Sequence, residues 1–269
     1  MQKFRKFARI PADRLLIRAF MMTDVGCVRK NNEDNAGFLF VDGSKTDFFA
    51  VLADGMGGYE RGDAASSIMV DTLRDDNGTT IEKKPRKWLS EMFGKANNTI
   101  YEYAGKLQSV MGTTCSTLLI RKKKIYCAHI GDSRVYMLSD GKLRQLTRDH
   151  TVVGEMERKG KITSAEANVH PQRNILTKAI GTKPRVEPDI FRITCSVRAG
   201  NRFLLCSDGL HGLVSDYEIQ RLLSLKSIRK AAISLINTAK GYGGYDNVTV
   251  VIIEINDKIN ICNDELQCD

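Results

Sequence analysis

Four aspartates in this chain share one peculiarity of placement: each stands at the end of a short, nearly all-apolar run, beside glycine or asparagine. Phe48 to Ala53 ends in Asp54-Gly55, Ile125 to Ile130 in Gly131-Asp132, and Phe203 to Ser207 in Asp208-Gly209. Asp246-Asn247 stands immediately before Val248 to Ile255. Short continuous apolar runs mark strands buried on both faces, so they point to sheets covered on either side. Aspartate is disfavoured inside strands and common in turns, and one or two at strand ends would be ordinary. Four invite a second interpretation. If the Val248 strand runs antiparallel to the other three, all four carboxylates fall at one edge of the sheet assembly.

The rest of the chain supplies the cover. Leu15 to Met22 reads as a first strand, and Thr113 to Ile120, Lys124 to Ile130 and Arg134 to Leu138 as a run of three more. Ser139-Asp140-Gly141 turns that run back into Lys142 to Leu146. Strands resume at Phe191 to Val197 and Arg202 to Cys206. Helical spacing appears over Asp63 to Leu73, and over Lys87 to Leu107 with Trp88, Met92, Ala96, Ile100 and Tyr103 on one face. Two further helices are expected at Ser215 to Leu223 and Ile228 to Lys240. Thr147 to Gly181 is polar and reads as a short helix pair (Val152 to Lys159, Ser164 to Asn168) lying on the main body. Strands interleaved with helix pairs predict one layered α+β domain over 15–255, with a basic extension over 1–14 and a polar tail over 256–269.

Composition excludes several alternatives. No apolar stretch approaches the roughly 20 residues that span a membrane. The net charge of +9 is concentrated in the first thirty residues and in clusters at Lys83, Lys84, Arg86 and Lys87 and at Arg121 to Lys124. Such runs are usually solvated surface. They would suit nucleic acid or an acidic membrane, but no aromatic residues alternate with them to form a stacking platform, so nucleic acid is not expected as a partner. Seven cysteines without a CxxC pair, three of them inside strand-like runs, fit a reducing cytoplasm better than a disulfide framework. No signal peptide is read at the N-terminus.

Carboxylates brought together raise one another's pKa, so a cluster is costly unless cations neutralise it. Oxygen donors without His or Cys select hard ions, Mg²⁺ or Mn²⁺. Glycine after Asp54 lets the backbone approach an ion, which makes the Gly55 carbonyl a further candidate ligand. Two such ions about 3.5–4 Å apart support in-line displacement at phosphorus. Spacing alone leaves open whether this is a metal site or four independent turn aspartates. The glycines from Gly55 to Gly62 lack both the GxxxxGK[ST] and the GxGxxG patterns, which removes a nucleotide-binding interpretation.

Longer motifs decide between these. Thr23 to Gly26 followed by Arg29 to Asp34, Ala53 to Gly58, Met111 to Thr114, Ala128 to Arg134, Leu146 to His150, Asn174 to Gly181, Leu205 to Leu210 and Gly244 to Val251 occur in one order over roughly 15–255. Together they resemble the metal-dependent protein phosphatases (type 2C), specifically their compact bacterial branch. The resemblance implies a four-layer α-β-β-α sandwich, two antiparallel sheets flanked by helix pairs, with 147–181 as a small flap beside the cleft. It implies two Mn²⁺ or Mg²⁺ ions and a third in bacterial members. Asp54 would bridge the two, the Gly55 carbonyl would bind the second, and Asp208 and Asp246 would complete the first. Asp34 would act through water, with Glu33 assisting, and Asp132 would hold the third ion. Arg29 would take the substrate phosphate, as a guanidinium fork facing phosphate oxygens does.

The implied activity is hydrolysis of phosphoserine and phosphothreonine by direct attack of a metal-bridging hydroxide. The enzyme would be monomeric and oppose a eukaryotic-like Ser/Thr kinase in a bacterium. The alternative is a non-catalytic phosphopeptide-binding scaffold of the same fold, for which loss of a core aspartate would be expected. His129, inside a strand, is expected to be a packed core histidine. His150 and His170 bracket the flap and can either pass a proton to the leaving group or brace the segment. Met56 stands where animal members carry a histidine, so no general acid is expected there.

Overall fold

A computed structural model describes residues 15–41, 47–57, 61–74, 84–195 and 197–257. The basic extension over 1–14, Lys83 and the tail from 258 onward lie outside the described residues. The elements are β1 (Leu15–Asp24), β2 (Asp34–Phe40), β3 (Phe48–Gly57), α1 (Gly62–Arg74), α2 (Pro85–Lys106), β4 (Met111–Thr113), β5 (Cys115–Arg121), β6 (Lys124–Ile130), β7 (Arg134–Ser139) and β8 (Lys142–Gln145). They continue with α3 (Val152–Arg158), α4 (Ser164–Val169), β9 (Asp189–Ile193), β10 (Arg202–Cys206), α5 (Asp208–His211), α6 (Asp216–Leu223), α7 (Ile228–Gly241) and β11 (Val248–Asp257). Two antiparallel sheets result, one in the order β1-β11-β10-β7-β8, the other β2-β3-β5-β6-β9 with β4 pairing on β3.

The apolar runs serve two cores at once, because side chains alternate across a strand. On β3, Phe48, Ala50 and Leu52 face the other sheet, where they meet Val135, Phe203, Leu205, Val251 and Ile253. Phe49, Val51 and Ala53 face outward and pack with Met69, Trp88, Phe93 and Ile100 of α1 and α2. On the second sheet Leu204, Cys206, Val250 and Ile252 point outward, against Leu210, Ile219, Leu235 and Ile236 of α5, α6 and α7. Three cores between four layers follow, and each fully buried Phe, Leu or Ile adds about 1.5–3 kcal/mol.

Several elements differ from expectation. Strand β2 has no counterpart in the apolar pattern. It lies at a sheet edge, half-exposed, and is held by pairing with β3 from Asp34 opposite Asp54 to Phe40 opposite Phe48. The buried face of α2 is Trp88, Leu89, Phe93, Ala96, Asn97, Ile100 and Ala104, while Tyr103 is exposed. Asn97 breaks the apolar stripe because its amide donates to the Lys183 carbonyl at 3.1 Å and accepts from the Gly181 N–H at 2.8 Å, tying down the end of 147–181. β9 begins at Asp189 rather than Phe191, since the ladder to β6 starts at His129–Asp189. β11 runs on through Asn256 and Asp257, so the strand takes the first two residues assigned to the tail. Segment 147–181 forms α3 and α4, rooted by bridges Thr151–Leu176 and Thr113–Ile180; Val153 and Ala167 are the buried apolar side chains of its two helices.

Candidate active site

β11 runs antiparallel to β10, so Asp208, just past the end of one, meets Asp246, just before the start of the other. β3 and β6 both run antiparallel to β5 and therefore parallel to each other, which brings Asp54 and Asp132 to the same edge. β2 adds Asp34 directly opposite Asp54. The Asp54 and Asp208 side chains are within hydrogen-bonding reach, and Asp54 feels the charges of Asp34, Asp208, Asp132 and Asp246. Like charges directly opposite on a ladder destabilise it. Burial foremost, with neighbouring carboxylates adding, pushes Asp34 up to about 7 and Asp208 to about 6. The same causes hold Asp54 and Asp132 well above the usual carboxylate range. At neutral pH these carboxylates shed their protons only against a large electrostatic cost, which a bound cation would offset.

Two close backbone approaches build the cleft. A Cβ on Gly55 would lie 2.0 Å from the Gly62 carbonyl oxygen and 2.6 Å from that of Glu33, so only glycine lets β3 pass the start of α1 beside Asp54. A Cβ on Gly209 would lie 2.0 Å from the Asn247 carbonyl oxygen, so glycine also brings the Asp208 and Asp246 segments together.

Around the carboxylates stands a shell of polar groups, and here the motifs without an assigned role find one. The Thr113 hydroxyl and Thr114 N–H donate to the Asp54 carbonyl at 2.9 and 2.8 Å, while the Asp54 N–H donates to Thr114 Oγ1 at 3.0 Å. Thr114 Oγ1 in turn meets Ser133 Oγ. Asn247 accepts from the Glu33 N–H at 2.8 Å and donates to the Val25 and Asn31 carbonyls at 3.0 and 2.9 Å, pinning the loop that carries Arg29. Arg29 Nη2 donates to Asp246 Oδ2 at 2.7 Å. Glu33 Oε1 accepts from the Gly62 N–H at 3.1 Å, so its carboxylate secures the start of α1 in addition to lying near the cluster. Asn247, Thr114, Ser133 and His211 are contributions that sequence reasoning missed. A buried Asn or Ser carries no charge or periodicity to single it out.

The histidines are spent on backbone. His129 meets Ser116 Oγ at 2.9 Å and the Arg148 carbonyl at 3.1 Å, stacks on His150, and is pushed down to about 4 by burial, as a packed neutral core histidine. His150 Nδ1 accepts from the Gly131 N–H and its Nε2 faces Asp189 at 3.3 Å, contacts that tie 147–181 to β9 and to the turn after β6. His170 Nδ1 accepts from the Gln172 N–H within a turn. His211 Nε2 donates to the Asp132 carbonyl at 3.0 Å, steadying the turn in which Gly131 has φ +103°.

Asp34 supplies the test of whether a hard cation fits. Its Oδ2 accepts from Ser207 Oγ at 2.7 Å, while its buried Oδ1 has no hydrogen-bond partner among the described residues. A buried carboxyl oxygen without a protein partner, close to other carboxylates, suits a cation or the water such a cation holds. No three Asp, Glu, His or Cys side chains close into a cage among the described residues.

The protein is thus a doubly covered β-sandwich with Asp34, Asp54, Asp132, Asp208 and Asp246 gathered at one end of its sheets. Residues 28–242 match the family described as protein phosphatase 2C, a span that takes in Arg29, Asp34, Asp54, Asp132 and Asp208. The serine/threonine phosphatase stp of Listeria welshimeri is 36% identical over 247 residues, 89% of this chain and 96% of that one. The crystal structure of the Mycobacterium tuberculosis serine/threonine phosphatase PstP/Ppp superposes with a TM-score of 0.81 at 35% identity, covering 90% of this chain and 99% of that chain. A structure of the PstP catalytic domain holding two manganese ions gives 0.80 at 34% identity, covering 90% of this chain and 100% of that chain. The chain belongs to the protein phosphatase 2C family of metal-dependent phosphoprotein phosphatases.

Proposed function

We propose that this phosphatase hydrolyses phosphoserine and phosphothreonine in proteins by direct attack of water on phosphorus, without a phosphoenzyme. The observation that carries the proposal is the opposed pair Asp34–Asp54 with Asp208 against it, a carboxylate cluster whose protons are held abnormally tightly. Two Mn²⁺ or Mg²⁺ ions, held by Asp54, Asp208, Asp246, the Gly55 carbonyl and, through water, Asp34, would supply a polarised water and neutralise phosphate charge. Asp132 is the residue for a third ion.

Arg29 reaches Asp246 at 2.7 Å from an exposed loop, so its guanidinium stands at the rim of the cluster. From there its remaining N–H groups can hold two phosphate oxygens while Asn247 keeps the loop in register. Neither Gly55 nor Met56 of β3 has a side chain that can donate a proton, and the four histidines are engaged with backbone or neighbouring side chains. The leaving alkoxide therefore takes its proton from water. Retention of Asp54, Asp208 and Asp246 speaks against a non-catalytic phosphopeptide-binding scaffold.

The same proposal places the protein opposite a eukaryotic-like Ser/Thr kinase in a bacterial cytoplasm, as a monomer. Free Cys115, Cys127 and Cys206, all buried in strands, support a reducing compartment. No helix among the described residues is long and apolar enough to cross a membrane. The test is phosphate release from phosphoserine, phosphothreonine and phosphotyrosine peptides with Mn²⁺, Mg²⁺ or EDTA. Turnover of the first two that requires the ion is expected; turnover that persists in EDTA would overturn the proposal.

A further inference from the structure

The cluster Lys84, Arg86 and Lys87, left as solvated surface by the sequence, does not stand alone in the fold. Pro85 opens α2, so these three cations surround its first turn, which contains no acid and has no side-chain cap. A helix N-terminus carries partial positive charge, and each cation beside it costs about 0.3–1 kcal/mol. Tyr126 on β6 faces the helices, and the ladder sets Arg192 of β9 directly beside it. Lys84, Pro85, Arg86, Lys87, Tyr126 and Arg192 thus line one shallow, largely open depression of about 440 Å³. Among the described residues no acid lines it, and Lys87 alone of the four cations has an acidic partner, Glu91 at 3.4 Å.

Four like charges gathered from two elements, with no acid among the described residues that line the hollow, are a local conflict of the kind that folds keep for function. We infer that this hollow is a docking site for an acidic peptide segment of the protein substrate. Its size exceeds what one phosphate would fill and suits two or three carboxylate side chains, with Tyr126 as an apolar floor. β6 leads from Tyr126 to the cleft, and Asp132 lies six residues further along, about 20 Å at strand spacing. An extended substrate could therefore place its acidic segment in the hollow with the phosphoresidue in the cleft, provided at least about six residues separate them. The inference rests on the phosphatase proposal only for the identity of what docks.

Fluorescence anisotropy of a labelled, unphosphorylated peptide with a Glu/Asp run, against the same peptide with Gln/Asn, tests the site without catalysis. The acidic peptide is expected to bind about tenfold more tightly, to weaken in high salt, and to lose its advantage in R86E and R192E, which come from separate elements. Hydrolysis of p-nitrophenyl phosphate should stay unchanged in both variants, since neither touches the cleft, and R86E should melt no lower than wild type, because an acid replaces a cation in the first turn of α2. Equal binding of the two peptides, or an advantage that survives both variants, would overturn the site. So would a single-stranded oligonucleotide that binds the hollow more tightly than the peptide. Failure to hydrolyse p-nitrophenyl phosphate in the wild type would count against the phosphatase proposal and leave the binding result to stand or fall by itself.

Discussion

Asn247 offers the sharpest test of how the cleft is assembled. Its side chain is 6% exposed and makes three hydrogen bonds to backbone groups of Val25, Asn31 and Glu33. Asn247→Ala leaves all three groups without that partner, and at about 1 kcal/mol each the loss is roughly 3 kcal/mol. The loop it pins carries Arg29, so the cost should also reach the substrate: KM for a phosphopeptide should rise more than kcat falls. Asn247→Asp keeps the acceptor for the Glu33 N–H, loses both donors, and adds a charge beside the cluster. It should therefore be no better than alanine. Urea unfolding with and without Mn²⁺ measures the first effect and steady-state kinetics the second. A loss under about 0.5 kcal/mol, or a kcat effect with KM unmoved, would refute the pinning role.

Other expectations follow from the same geometry. The folded pKa values of Asp34 and Asp208, about 7 and about 6, lie above the unfolded 3.8. The ion-free fold therefore binds protons that the unfolded chain has released, and these groups' contribution to stability falls as pH rises from about 4 to 7. Without metal, Asp34→Asn should accordingly gain on wild type with rising pH, by about 2–4 kcal/mol, in thermal unfolding series; a gain on acidification instead would reverse the assignment. Protons compete with the cation, so Mn²⁺ affinity by calorimetry should drop on acidification below about pH 7. Gly209→Ala drives a Cβ to 2.0 Å from the Asn247 carbonyl and should cost over about 2 kcal/mol, with weakened Mn²⁺ binding. Asp132→Asn should bind one ion fewer and keep turnover within about tenfold of wild type, read by metal analysis and kinetics.

The layered fold was legible because its strands are buried on both faces, and alternation on β3, β10 and β11 feeds two cores from one apolar run. The convergence of Asp54, Asp132, Asp208 and Asp246 was legible as a conditional, resting on the direction of β11, which the ladder supplies. What escaped was decided by partners far along the chain. Strand β2 exists because β3 offers it an edge, and its Asn, Gly and half-exposed residues look like loop without that edge. Asn97 and Asn247 serve carbonyls and N–H groups between 84 and 222 residues away, so nothing local marks them. Arg29 showed only as a motif position; its contact with Asp246 needed the fold.

On this reading, the carboxylate cluster centred on Asp54 would hold the divalent ions on which hydrolysis depends. Phosphoserine-peptide turnover in Mn²⁺ by wild type and by Asp54→Asn, with bound metal counted in each, tests it most directly. The isosteric change removes one negative charge from a site opposite Asp34 and should leave the fold intact by circular dichroism. The prediction is a loss of at least about a hundredfold in kcat with reduced metal content. A folded Asp54→Asn that turns over at the wild-type rate, or that binds its full complement of Mn²⁺ unchanged, would contradict the account.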